Sequence, residues 1–307
     1  MTEANGVEEI AMKSSVLISA ICMGSLIAAA VPASASTFDF STGDPDGRMA
    51  TASRPGPGFE IESGDDFALL AQTLIRNATF TGLVPTGATV SAVNVEIYRV
   101  FPNDSDVGRT SGSPTFSTTQ VPTRVNSPSD VAFDSRSSST DLTFSTSVLA
   151  SSFTANNSVR PGGIHPAPGF QTGGNGSVTG QEVQFSVNFT TPFNLPADHY
   201  FFVPQVQLDS GDFLWLSAPR PIVAPGTPFP PGVTDLQAWA RDQFLDPDWL
   251  RIGTDIVGGA QPPTFNLAFS IEGDTTPLPG ALPLFASGLG ALGLLGWRRK
   301  RKAAIAA

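Results

Sequence analysis

The sequence predicts an all-β protein: an antiparallel β-sandwich, jelly-roll-like, with an N-terminal signal helix and a C-terminal transmembrane helix. Three observations predict it. Apolar residues in the middle of the 307-residue chain recur with period two, the signature of strands with one buried face. The apolar runs are punctuated by many of the 30 glycines and 27 prolines, which favour turns between short strands. Uncharged apolar stretches sit near both ends of the chain, each beside basic residues.

Met12-Lys13 opens the first of these stretches, which runs over residues 16–31 and ends at Ala33-Ser34-Ala35. A basic start, an apolar middle and a small-x-small site form a secretory signal with cleavage after Ala35. Glu3, Glu8 and Glu9 precede it and suit a signal badly, so translation is expected to start at Met12. Cleavage removes Cys22, the only cysteine. The mature chain then has no disulfide and no thiol chemistry.

Residues 36–272 are the ectodomain. Candidate strands are residues 74–80, the alternation of Val93, Val95 and Ile97, and Leu142 with Phe144. Val183, Phe185, Val187 and Phe189 alternate with polar residues, and Tyr200, Phe202, Val206 and Leu208 follow. Residues 213–216 are apolar on both faces, and Phe265, Leu267, Phe269 and Ile271 form the last alternating set. The 22 phenylalanines are the expected core filler. Residues 102–140 are rich in Ser, Thr, Pro and Asp and predict long loops. Residues 219–231 hold six prolines and cannot form a central strand. Leu236, Trp239, Ala240 and Phe244 recur at helical spacing, which predicts a short surface helix over 234–245 capped by Thr234 or Asp235.

Residues 273–280 are a linker carrying Pro277, Leu278 and Pro279. The uncharged run 281–297 follows and would rise about 25 Å as a helix, close to the thickness of a bilayer core. Trp297 closes it at the interface. The basic tail 298–307 begins with Arg298, Arg299, Lys300, Arg301 and Lys302 and is expected to stay cytoplasmic. The stretch PLPGALPLFASGLGALGLLGWRRKRK (277–302) resembles the PEP-CTERM bacterial sorting signals, in the variant reading Pro-Leu-Pro. The resemblance implies a bacterial exported protein and an exosortase-type enzyme acting near the Pro motif. SGDDFAL (63–69), ATFTGLVP (78–85), VNVEIYRVFP (93–102) and LPADHYFFVPQV (195–206) are similar to the secreted domains that precede such tails.

Chemistry is harder to find. Residues 36–277 carry 11 Arg against 24 Asp plus Glu, a net charge of −13, which repels nucleic acid. The sequence carries no Gly-x-Ser-x-Gly elbow, HExxH, P-loop or EF-hand loop. His165 lies in a Gly/Pro loop. His199 follows Asp198 on a strand, where neighbours face opposite ways, so Asp198 is badly placed to orient it. Closely spaced turn carboxylates make Asp44, Asp46, Asp65 and Asp66 calcium candidates, with Asp104, Asp106, Asp246 and Asp248 in similar settings. Asp also favours turns on its own account. No other cofactor is expected.

These observations predict a structural or adhesive protein at the cell surface or in the exopolysaccharide matrix. Its expected partners are the processing enzyme, the membrane through its C-terminal helix, and exopolysaccharide. A carbohydrate-binding module is the first alternative; it requires Trp239 or Trp249 on an open face, whereas Trp215 reads as core. A secreted hydrolase is the second; it requires two carboxylates in a cleft, one with a raised pKa.

Overall fold

A computed structural model describes residues 36–56, 58–105, 121–165, 170–220, 229–276, 288–290 and 292–293. The chain divides into two compact units. One is Ala35–Thr276; the other comprises Met1–Ser34 and Pro277–Ala307, whose described residues 288–290 and 292–293 are helical. The predicted signal helix (1–35), the sorting motif, most of 281–297 and the basic tail lie outside the described residues. Among the described residues no helix is long and apolar enough to cross a membrane.

The larger unit is mostly β, with a 3-10 turn at Pro161–Gly163 and one π-helical stretch at Ile252–Val257. Its strands are β1 (Thr37–Ser41), β2 (Met49–Ala52), β3 (Ile61–Ala68), β4 (Thr73–Val84), β5 (Val90–Arg99), β6 (Asp134–Ser137), β7 (Leu142–Ala155) and β8 (Asn157–Val159). They continue with β9 (Val178–Leu195), β10 (His199–Leu208), β11 (Leu214–Ala218), β12 (Trp239–Asp242), β13 (Leu250–Arg251), β14 (Asn266–Leu267) and β15 (Phe269–Thr275). Two sheets form. The first runs β1-β15-β4-β11-β2-β8, with β9 also on β4, β7 on β9, and β14 on β11; the second runs β13-β12-β3-β10-β5-β6. All pairs are antiparallel except β2 with β8. Every strand pair among the described residues has both members inside 36–276, so the fold closes on itself. The strand β15 runs to Thr275, three residues beyond the expected end of the ectodomain.

The sheets pack through phenylalanine, as composition predicts. Phe202 of the second sheet stacks on Phe269 of the first (ring centroids 5.2 Å) and meets Phe80 and Trp215. Phe40 meets Phe67 across the same interface. Trp215 is buried there and donates its indole N–H to the Ala268 carbonyl (2.9 Å), which satisfies its one polar atom. Gly82 on β4 lets the Phe213 ring lie against the backbone. A Cβ there would stand 2.2 Å from that ring and 2.7 Å from the Leu214 carbonyl oxygen. Gly82→Ala is expected to cost about 1–3 kcal/mol by overpacking, read as a lower midpoint in urea. A change near zero would show that Phe213 repacks freely.

The second sheet departs from the half-buried pattern. Every residue of β3 and of β12 is buried. The cause is a second apolar cluster on the sheet's outer face, made of Tyr98, Phe201, Val203, Leu236, Trp239 and Trp249. It is covered by the segments around 121–133 and 234–257.

The predicted helix over 234–245 is absent. Residues 239–242 instead pair with the free edge of β3, Trp239 opposite Gly64 and Arg241 opposite Glu62. Edge hydrogen bonds outweigh weak helix propensity here. The apolar residues are shared between two cores with period two: Trp239 joins the outer cluster and Ala240 the inner one. Phe244 is left exposed.

Candidate functional site

Strand β3 organises the buried charge. Its even-numbered residues Glu62 and Asp66 point to the outer face and its odd-numbered Asp65 to the inner one.

At Glu62 the outer face carries a four-residue network. Arg241, directly across the strand pair, binds Glu62 through Nε and through Nη2 (3.1 Å to Oε1). Arg241 Nη2 also donates to the Tyr98 hydroxyl oxygen (2.9 Å). Its guanidinium lies 4.4 Å from the Trp249 ring centroid and 5.2 Å from that of Tyr98. The Tyr98 hydroxyl sits 2.5 Å from Glu62 Oε1 and 2.8 Å from Glu96 Oε2. One hydroxyl proton cannot serve both carboxylates. Burial, with Glu62 as a like charge beside it, pushes the Glu96 carboxyl up to about 8. Glu96 is therefore protonated at neutral pH, and Arg241 offsets Glu62. Burial, then Glu62, also raises Tyr98 well above its ordinary value.

Four residues further along β3 lies a second acid cluster. Asp66 is buried, accepts from the Leu236 amide (3.0 Å) and lies 2.6 Å from His199 Nε2. The spacing suits an ion pair, but the electrostatics make it neutral. Burial, then Asp235, raises Asp66 well above the carboxylate range, while burial lowers His199 to about 4 against the pull of Asp198 and Asp235. Both directions favour the neutral forms of this pair, which share one hydrogen bond. Asp235 binds Arg220, and the amide of Asn266, oriented by its hydrogen-bond partners, donates to its Oδ1 (3.0 Å). Asp65, on the other face, accepts from the Leu267 amide (2.8 Å). Burial and Asp66 raise it. The Asp198 side chain accepts from the His199 backbone amide (2.9 Å) and pairs with Arg99, while the His199 imidazole meets Asp66 of the adjacent strand. A cavity of about 330 Å³ opens beside Arg220, Asp235, Trp239 and Arg251.

The calcium candidates are placed differently from the sequence expectation. Asp46 accepts from Ser217 Oγ and the Arg48 amide, on the loop after β1. Asp44 is exposed nearby. Asp65 and Asp66 are on opposite faces of β3, each bound to backbone amides. Asp246 and Asp248 hold Arg241 and Arg124, and Asp104 holds Arg99. Asp106 lies outside the described residues. Among the described residues no group of three or more His, Cys, Asp or Glu side chains is gathered to hold a metal.

The two tryptophans required on an open face by the carbohydrate-binding alternative are buried instead. Trp239 and Trp249 are each 1% exposed, and Trp249 donates its indole N–H to the Ser129 carbonyl (3.1 Å). Buried Arg124, bound to Asp130 and Asp248 and lying 4.5 Å from the Phe101 ring, escaped the sequence reading because 102–140 looked like plain loop. An isolated arginine in a Ser/Thr-rich stretch could have flagged it.

The arrangement pins the covering loops to the sheet through buried charge. Compared with known proteins, the chain matches no family model, no curated protein and no solved structure.

Proposed function

We propose that this is an exported bacterial protein, a jelly-roll-like sandwich delivered by a signal peptide and sorted by a PEP-CTERM-like tail. Pro277, Leu278 and Pro279 mark where an exosortase-type enzyme acts, and the run 281–297 with its basic end holds the chain in the membrane until then. The ectodomain has a structural or adhesive role at the cell surface or in the exopolysaccharide matrix.

The observation that supports this most is where the folded unit starts and stops. It spans Ala35–Thr276, the interval between the expected signal cleavage and the Pro motif. Its two ends meet: Thr37 lies opposite Asp274, and the Thr275 amide donates to the Ser36 carbonyl (2.8 Å). Among the described residues no strand pair reaches beyond either end. The two ends of the described unit, Ser36 and Thr276, therefore lie side by side in one stretch of paired strands, which supports an ectodomain that keeps its fold when both flanking segments are removed.

The test replaces Pro277 and Pro279 with Ala in the native host and follows the protein by cell fractionation. The variant is expected to accumulate in the membrane fraction while the wild type reaches the surface or medium. Identical distributions would remove the sorting role of the motif.

A further inference from the structure

We propose that β7 is a self-association edge, along which two copies of this chain pair antiparallel about a two-fold axis at Ser145. The geometry of this strand carries the inference, which is independent of the tail.

Among the described residues β7 is bound on one side only, by β9. Its 14 residues, LTFSTSVLASSFTA, include no charge, no proline and no glycine. Soluble proteins normally blunt a long free edge with Lys, Pro or an inward charge, because its unpaired N–H and C=O groups accept another strand. Here none of those side chains is present. The unit 36–276 carries a net charge of −13, so two copies repel across most surfaces. The uncharged edge is where they approach without facing like charges, which favours a second copy as the occupant.

The register points to one segment. Residues 142–148 pair with β9 without interruption, Leu142 opposite Phe189 through Val148 opposite Val183, and the register shifts only beyond Val148. Bulges bend and twist a strand, so 142–148 is its regular part. Leu142, Phe144, Thr146 and Val148 share the face of the buried Phe189, Val187, Phe185 and Val183. That apolar stripe ends in the open, with Val148 56% exposed. A two-fold at Ser145 sets Leu142 against Val148, Thr143 against Ser147 and Phe144 against Thr146. It continues the stripe into the partner and pairs hydroxyl with hydroxyl on the other face. Such an isologous pairing closes as a dimer, and the larger sheet runs on through it.

Sedimentation of the self-contained unit 36–276 over a micromolar-to-millimolar dilution series tests this. A reversible dimer is expected. Ser145→Glu sets two carboxylates against each other at the axis and should raise the midpoint concentration about tenfold or more. Ser145→Cys, the sole thiol in that unit, should oxidise to a covalent dimer, whereas Ser91→Cys on β5 should not. A monomer throughout, or a dimer indifferent to Ser145→Glu with no Ser145→Cys cross-link, overturns the proposal. If Ser145→Glu fails to fold by circular dichroism, the cysteine pair decides.

Discussion

Arg241→Leu is expected to destabilise the sandwich by about 3–5 kcal/mol, the usual cost of leaving a buried charge without its partner. Glu62 is buried and pairs with Arg241 in register. Without the guanidinium its charge would face only the Tyr98 hydroxyl and a neighbouring glutamate. The guanidinium also packs on Trp249 (4.4 Å) and donates to the Asp130 and Pro247 carbonyls, so one residue ties two covering segments to the sheet. Urea denaturation measures the loss. Adding Glu62→Leu to Arg241→Leu should recover much of it, because an apolar replacement for a buried ion pair is often neutral. A single variant within 1 kcal/mol of wild type would mean that the network contributes little.

Stability is expected to fall as pH rises from 6.5 to beyond 8. The sign follows from which state holds more protons. Glu96 has a folded pKa of about 8 against an ordinary value near 4.5. Its stabilising effect is complete below the ordinary value and is lost as pH rises through 8. Asp65 and Asp66, also raised by burial, act in the same direction. His199 acts oppositely: lowered from 6.5 to about 4, it stabilises fully above 6.5 and loses that effect as pH falls towards 4. Above 6.5 only the carboxyl effect remains, with a slope of at most about 1.4 kcal/mol per pH unit for each proton held. Calorimetry should show a lower Tm at pH 8.5 than at 6.5, and Glu96→Gln, which keeps a neutral group beside Tyr98, should shrink that difference. A Tm that is flat or rising over the interval would contradict the protonated Glu96.

The strands were legible where one face is dry and the other wet. Val183, Phe185, Val187 and Phe189 show their alternation openly because β9 keeps its polar face in solvent. Trp239 to Asp242 was misread because both faces of β12 are buried, which erases the period-two contrast and leaves Leu236, Trp239, Ala240 and Phe244 looking helical. The site was less legible still. Asp65-Asp66 drew attention as adjacent carboxylates, but their partners come from residues 199, 235, 236 and 267. Glu62, Glu96, Tyr98 and Arg241 meet only through three strand pairings and share no local motif. Arg124 finds Asp248 at a sequence distance of 124 residues. Long-range pairing in a β topology is invisible to local pattern.

The most direct test of the exported, doubly processed ectodomain is the intact mass of the native protein recovered from its host. The account predicts a species that begins at Ser36 and ends close to Pro279. A species that retains the residues up to Ala307 and stays in the membrane fraction would contradict it, making the tail a permanent anchor.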